Sequence, residues 1–279
     1  MGETVLSFAG NYDNKLYLGA TIRFNYIKYS QNSVYEEKMT DQDSSVVLNS
    51  FRLSENLTTN GNGYNVKIGM IYRVTDWVRI GAALHTPTYY NLKDNWNSTM
   101  KAEFKDSTIY NHPYNPEYNY DSPNGSFDYS ITTPMKAIGS IAFVIAKMGI
   151  ISADYEFIDY SAGRLRASSY SYFDENNDAR TNYMAAGNIK LGTEWRLDPF
   201  SIRGGYAMYG NPYKNNINNG SRSSYSIGFG IREAEYYLDF AYVLTQGTSK
   251  YYLYDPALVS AATLNHSSSS VMVTLGFKY

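Results

Sequence analysis

Two carboxylates in the middle of the chain have a spacing that acid–base chemistry can use. Asp154 and Glu156 lie two positions apart in the run IISADYEFI (150–158), so on a β-strand they share a face, about 7 Å apart. Basic residues predicted on the same face of other strands balance them, so we interpret the pair as part of a charged protein interior. These basic residues are Arg79, Lys190, Arg196 and Arg203.

A histidine raises the possibility of haem binding. His85 follows an alternating run and could ligate haem iron. The other two histidines, His112 and His266, lie in predicted loops, so the sequence predicts no second ligand beside it. We also find no nucleotide-binding loop, no Ser/His/Asp arrangement and no zinc spacing.

An acidic run in the second half resembles the opening of a calcium loop. The spacing is Asp174-x-Asn176-x-Asp178, but Ala179 replaces the required glycine and Ala185 stands where the bidentate glutamate should be. An ordinary solvated loop explains this run better. We therefore predict that the protein is not an enzyme and has no catalytic residue, no metal site and no cofactor.

The composition narrows the possible partners. The chain has 279 residues, no cysteine and a net charge of −2, which excludes disulfides and thiol chemistry and argues against nucleic acid as a partner. The 30 tyrosines fit a protein with extensive membrane interfaces, because the tyrosine ring is apolar and its hydroxyl is polar.

Alternation with a period of two dominates the last third of the chain. Segments of about ten residues place apolar side chains on one face and polar ones on the other, which is typical of a transmembrane β-barrel. The residues predicted to face lipid are Ile189, Leu191, Trp195, Phe200, Ile202, Ile227, Phe229, Leu238, Phe240, Val273 and Leu275.

The connections favour a barrel over a soluble antiparallel sandwich, which would also alternate. Those at 198–199 and 233–235 are tight, whereas 210–221 and 246–267 are long and polar. Outer-membrane barrels have short periplasmic turns and longer external loops. The sequence therefore predicts an all-β antiparallel transmembrane barrel, with residues 1–279 forming one domain.

We count about eleven barrel strands in the alternating segments. Two further segments, 45–54 and 97–105, are interpreted as hairpins within external loops. Pro134 interrupts the strand predicted from residue 127 to 147, and we expect a kink in the wall there because proline lacks the ladder donor. An odd number of strands cannot close antiparallel, so we expect further strands to precede this segment.

The polar face of the strands is predicted to line the lumen. Its charged residues and one histidine are Arg23, Lys67, Arg79, His85, Asp154, Glu156, Lys190, Glu194, Arg196, Arg203, Arg232 and Asp239.

Three runs resemble the FadL/OmpP1/TodX family, in particular the branch found in Bacteroidota. They are TTNGNGYNVKIGMIYRVTDWVRIGAALHTPTYYNL (58–92), ITTPMKAIGSIAFVIAKMGIISADYEFIDYS (131–161) and SIRGGYAMYGNPY (201–213). The resemblance implies a barrel that has fourteen strands when complete, plugged by an N-terminal hatch. It also implies that this segment lacks the hatch and about three first strands, so it is truncated at its N-terminus.

The resemblance implies an outer-membrane channel for hydrophobic small molecules such as long-chain fatty acids. The expected partners are the ligand, outer-membrane lipid and either the missing N-terminal segment or another envelope protein. The alternatives are a non-transporting barrel that scaffolds an envelope or secretion assembly, and a haemin receptor. Tyrosines expected to capture ligand in external loops are Tyr89, Tyr90, Tyr110, Tyr114, Tyr118 and Tyr120.

Overall fold

A computed structural model describes residues 1–39, 48–104, 117–255 and 257–277. The fold is a single antiparallel sheet of fifteen strands with one short helix. The strands are β1 (Gly2–Tyr12), β2 (Leu16–Lys38), β3 (Leu48–Arg73), β4 (Val78–His85), β5 (Tyr89–Phe104), β6 (Glu117–Asp121), β7 (Gly125–Thr132), β8 (Lys136–Ile145), β9 (Gly149–Asp159), β10 (Arg164–Arg166), β11 (Ala185–Leu197), β12 (Phe200–Tyr209), β13 (Arg222–Arg232), β14 (Tyr236–Tyr251) and β15 (Ala262–Phe277), and the helix is α1 (Phe173–Asn182).

Several of these strands are two halves of one longer strand. The lower half of β3 pairs with β4 and its upper half with β5, while β8 and β7 pair with β4 and β5 in turn. In the same way β9 pairs with β8 and β10 with β7. When each divided strand is counted once and the short outer β6 is left aside, the wall has eleven strands, as the alternation predicted.

The sheet has its apolar side chains on the outside. In the described residues only Leu92, Ile158 and Ala186 are buried hydrophobics, and no second sheet packs on the first. All the residues predicted to face lipid are exposed, from Trp195 at 37% to Val273 at 66%. The period-two pattern therefore forms an apolar outer surface, as expected for strands in contact with lipid.

The connections separate cleanly into two ends. Short turns join β1 to β2, β3 to β4, β8 to β9, β11 to β12 and β13 to β14, and all of these turns lie at one end of the sheet. The longer connections lie at the other end, which is external in barrels of this kind. Outward aromatic pairs occur towards both ends, with Trp77 against Phe143 at the short-turn end and Tyr64 against Tyr89 at the loop end.

In the described residues, the two segments predicted as external hairpins do pair as hairpins, since 50–54 pairs with the outer end of β2 and 99–103 with β6, but each is continuous with a wall strand. Positions 48–54 belong to β3, which runs unbroken for 26 residues, and 97–104 belong to β5. Both are extensions of wall strands beyond the membrane, since about ten residues suffice to cross the hydrocarbon. The expected loop after Asp159 also contains a 3-10 turn, β10 and α1. The remaining positions of the two predicted hairpins lie outside the described residues.

Three adjacent wall strands are divided at the same height. The gaps are Thr86 to Thr88 between β4 and β5, Thr133 to Met135 between β7 and β8, and 160–163 between β9 and β10. Beside Pro134, the Thr133 amide donates to the Thr88 carbonyl at 3.0 Å, and the Thr88 amide donates to Thr133 Oγ1 at 2.9 Å.

The outermost strands, β1 and β15, each pair on one side only among the described residues. Because the wall has an odd number of antiparallel strands, β1 and β15 run in the same direction. Of the described helices, none has the length and apolar character needed to cross a membrane.

Candidate functional site

The strand registers place all of the predicted lumen residues on one face, opposite the lipid-facing set. For example, Glu194 pairs with Arg203 and Asp154 pairs with Lys190. Among the cations near the short-turn end, Arg79 pairs with Arg73, and Arg232 lies 5.6 Å from the centre of the Tyr237 ring. That these residues line a lumen stays a prediction.

A four-residue charge network lies towards the short-turn end of the inner face. Arg203 donates from Nε to Glu194 at 3.0 Å and from Nη1 to Asp239 at 2.6 Å. Arg196 donates from Nε to the other Glu194 oxygen at 2.8 Å. Each carboxylate therefore has a cationic partner, and the network ties β11, β12 and β14 together.

Of the two carboxylates considered for acid–base chemistry, Asp154 lies opposite Lys190 in the sheet, whereas Glu156 has fixed hydrogen-bond partners. Glu156 is buried and accepts from Asn188 Nδ2 at 2.7 Å, and Lys190 Nζ lies 3.5 Å from its second oxygen. The side-chain oxygen of Asn188, Oδ1, in turn accepts a hydrogen bond from the Gly210 amide at 3.1 Å. Glu156 is thus a fixed, paired anion, and this arrangement supports a structural role for it.

Cations collect farther towards the loop end. His85 pairs with Lys67 on one side and with Lys136 on the other, so these three lie in one row across β3, β4 and β8. Arg23 on β2 lies diagonally next to Lys67, because its own register partner is Asn65. We name Arg23, Lys67, His85 and Lys136 the inner basic cluster.

Buried polar atoms without partners lie beside this cluster. Asn25 and Asn65 are 5% and 7% exposed, and Asn65 Nδ2 donates to Thr88 Oγ1 at 2.6 Å. Arg23 Nε, Asn25 Nδ2 and Asn65 Oδ1 have no hydrogen-bond partner among the described residues. Arg23 also forms an ion pair with Glu3. Two of the three unpartnered atoms are donors, and leaving buried donors unpaired is costly, so the site suits an acceptor such as a carboxylate.

An apolar depression of about 490 Å³ adjoins the basic cluster on its short-turn side. Lys67 and His85 belong to its lining, which places a cationic rim beside an apolar floor. The apolar inner-face residues of this floor are Tyr17, Gly19, Gly69, Ile71, Ala83 and Ile138.

A second apolar layer lies on the loop side of the basic cluster. Gly63 pairs with Tyr90, and Gly61 pairs with Leu92, which is 7% exposed. A Cβ added at Gly63 would overlap the Tyr90 ring, and one at Gly61 would overlap Leu92. The two glycines therefore make room for the apolar side chains of the facing strand. We call Tyr90 and Leu92, with Ile27, Ile131 and Leu165 in the same two rows, the inner vestibule.

Sequence reasoning missed several of these residues. Lys136 follows the break at Pro134, where the pattern of inward and outward positions shifts by one, so its face could not be read from the preceding strand. Asn25 shares the inner face with Arg23, two positions earlier in β2, but nothing in its residue type signals an unpartnered donor. Of the tyrosines expected in loops, Tyr89 and Tyr90 lie in β5 and Tyr118 and Tyr120 in β6. Tyr110 and Tyr114 lie outside the described residues.

The predicted calcium-like run forms part of α1. Asn176 Oδ1 accepts from the Leu165 amide at 2.8 Å, and its Nδ2 donates to the Leu165 carbonyl at 2.9 Å. The side chain thus fastens the helix to β10, so its oxygen is already engaged in a backbone contact.

The fold is similar to solved structures of a FadL homologue and of a toluene transporter. A Pseudomonas aeruginosa FadL homologue superposes with a TM-score of 0.63 at 14% identity, covering 98% of this chain and 66% of the other. The Pseudomonas putida toluene transporter TodX superposes with 0.61 at 11% identity over 99% and 68% of the two chains, and a second TodX structure with 0.59 at 12% over 98% and 68%.

Comparisons of sequence add no closer relative, since the chain matches no protein-family model and no curated protein. The structural matches extend over nearly the whole chain, which spans about two thirds of the length of the structures that it resembles. The chain therefore has the fold of the FadL family, an antiparallel transmembrane β-barrel.

Proposed function

We propose that this chain forms the ligand-binding wall of a channel that admits hydrophobic small molecules through the outer membrane. We propose further that long-chain carboxylates such as fatty acids belong to its substrates. The observation that supports this is the order of surfaces along the inner face. An apolar vestibule comes first, then a basic cluster with unpartnered donors, and then an apolar depression.

Each layer suits one part of such a ligand. Tyr90 in the inner vestibule is half-buried and offers an apolar surface to an alkyl chain that arrives from the external side. The donors of Arg23, Asn25 and Lys67 can receive its carboxylate, for which charge-assisted hydrogen bonds are about twice as strong as neutral ones. The depression beside His85 accommodates part of the chain. Because the depression is formed by a single sheet, it leaves one side of the ligand uncovered, and binding there is weak enough for the ligand to leave, as transport requires.

The test compares a carboxylate with a neutral ligand of the same length. Palmitate and hexadecanol binding would be measured by calorimetry on the protein in lipid nanodiscs, for the wild type and for Lys67→Gln. Loss of one charge-assisted contact should weaken palmitate binding by about 10- to 100-fold and hexadecanol binding by less than about twofold.

Lys15→Gln is the matched control, because Lys15 is an exposed cation in the β1–β2 turn at the other end of the sheet. It should leave both affinities unchanged. Equal weakening of the two ligands in Lys67→Gln, or no binding of either ligand to the wild type, would contradict the proposal.

The break at Pro134 is proposed as the place where the ligand leaves through the wall. Between Thr132 and Lys136 the ladder is interrupted, and the neighbouring strand is divided at the same height. Pro134→Ala restores a backbone donor and should slow palmitate entry into proteoliposomes without changing palmitate affinity. Unchanged entry rates would exclude this exit, while the binding site would remain supported by the Lys67 experiment.

A further inference from the structure

The outward surface of β2, β3, β5 and β7 changes character in a regular order towards the external side. The first row is aromatic, with Phe24, Tyr64 and Tyr89 in register. Tyr64 and Tyr89 lie with their ring centres 5.8 Å apart. Such an aromatic row marks the interface between the hydrocarbon and the polar headgroups.

The next outward row contains amides, hydroxyls and one guanidinium. Tyr26 pairs with Asn62, Asn62 with Asn91, Asn91 with Ser130 and Ser130 with Arg166. The row after that contains Lys28, Asn60, Lys93 and Asp128, again in register across the same four strands.

These rows stand at the height of the lipid headgroups. Lys28 lies four residues beyond Phe24, which is about 13 Å along the strand. A cleft of about 530 Å³ opens on this surface, and Asn62, Lys93, Asp128 and Arg166 all belong to its lining.

The charges in this region are mostly uncompensated. Lys28, Lys93, Asp128 and Arg166 are exposed, and among the described residues none of the three cations forms an ion pair. Three cations with one carboxylate leave the surface positive. The far wall differs, because the first outward row beyond the Tyr206–Tyr225 pair is uncharged. In register its residues are Met208, Ser223, Gln246 and Ser267.

We propose that this cleft binds the phosphorylated sugar headgroup of an outer-leaflet glycolipid. Lys93 and Arg166 in its lining, with Lys28 opposite its Asn60, match the phosphates, and its amides and hydroxyls match the sugar hydroxyls. The surface continues directly from the lipid-facing wall, so a lipid whose acyl chains lie against Phe24 and Tyr64 would place its headgroup in the cleft. This site lies on the opposite face from the proposed transport site and does not depend on it.

The probe is lipid A, compared in its bisphosphorylated and dephosphorylated forms. Protein would be reconstituted in phosphatidylcholine nanodiscs containing either form. Native mass spectrometry would then measure how much lipid A stays bound to the protein after the protein is released from the nanodisc. The wild type should retain the bisphosphorylated form preferentially. The Lys28→Gln/Lys93→Gln double variant should retain it about 25-fold less, at roughly fivefold per cation.

The matched control is Lys15→Gln/Lys147→Gln, which removes two exposed cations from turns at the opposite end of the sheet. This variant should retain the lipid as the wild type does. Raising the ionic strength should weaken retention by the wild type, which tests the electrostatic contribution without any substitution.

Three results would overturn the proposal. The first is equal retention of the lipid by the two double variants. The second is equal retention of bisphosphorylated and dephosphorylated lipid A by the wild type. The third is displacement of the lipid by millimolar inorganic phosphate, which would indicate a site for free anions.

Discussion

The hydroxyl oxygens of Tyr35 and Tyr254 lie 2.7 Å apart although 219 positions separate the two residues in the chain. Both hydroxyls also hydrogen-bond to Oε1 of Glu37. Tyr35 and Glu37 belong to the outer end of β2, and Tyr254 to the connection between β14 and β15. The sheet is therefore curled so that the outer end of β2 approaches the connection between β14 and β15 on the external side.

This contact should depend on pH. Hydrogen bonds from Tyr254 and Tyr35 lower the pKa of Glu37, and the bond to Glu37 followed by that to Tyr254 raises the pKa of Tyr35. The lowered pKa of Glu37 makes its contribution full above the ordinary value of 4.5 and lost as the pH falls through the folded value. The raised pKa of Tyr35 makes its contribution full below the ordinary value of 10.0 and lost as the pH rises through the folded value.

Spin labels at Val34→Cys and Leu253→Cys would report this contact, because both side chains are exposed and the chain has no other cysteine. At neutral pH the distance distribution should be narrow, and it should broaden in strong acid and in Tyr254→Phe. Tyr29→Phe is the control, since among the described residues the Tyr29 hydroxyl donates only to Gln31 Oε1 within the same strand. A distribution that is equally broad in all samples would refute the contact.

A charged side chain in the middle of the lipid-facing wall should lower the stability of the protein. Ile227 is central in β13 and 61% exposed, so Ile227→Arg should cost about 2–4 kcal/mol in the free energy of unfolding. Ser226→Arg, one position away on the inner face, should cost much less. Urea unfolding in phospholipid vesicles measures both, and equal costs would mean that the two faces are assigned wrongly.

The close contact between Gly63 and Tyr90 should appear as an energetic coupling between substitutions at the two positions. Gly63→Ala should destabilise the protein by about 1–3 kcal/mol, because the added methyl group overlaps the facing ring. Adding Tyr90→Ala should remove most of that cost. Gly139→Ala is the control, since a Cβ there would have no atom within 4 Å. Strictly additive effects of Gly63→Ala and Tyr90→Ala would rule out the proposed overlap.

The inner charge network should depend more on Arg203 than on Arg196. Arg203→Met leaves Asp239 without its cation and should cost about 1–3 kcal/mol in unfolding free energy. Arg196 is more exposed and bonds only to Glu194, which retains Arg203, so Arg196→Met should cost less than about 1 kcal/mol. Equal losses in vesicle unfolding experiments would show that the network is not organised around Arg203.

The lipid-facing wall could be predicted because apolar and polar side chains alternate along its strands with a clear period of two. Leu238, Phe240, Val273 and Leu275 were assigned to the outer face from this alternation, and all are exposed there. The count of eleven wall strands followed from the same signal.

The outer extensions could not be predicted from that signal. In positions 54–62 of β3 both faces are mostly polar, so the alternation of side chains produces no hydrophobic contrast. Segments of this kind look like loops until their pairing is known. For the same reason, the donors of Asn25 and the cleft around Lys93 depend on register, which sequence period alone does not provide.

The uninterrupted β3 has a mechanical consequence. On one side of it, the wall strands are divided at Pro87, at Pro134 and at 160–163, whereas β3 itself continues for 26 residues, about 86 Å. A sheet resists bending least where its ladder is interrupted, so a force on the outer part of β5, β7 and β10 would concentrate its strain on this line. β3 would then stay rigid, and the outer parts of β5, β7 and β10 would move together about this line as about a hinge.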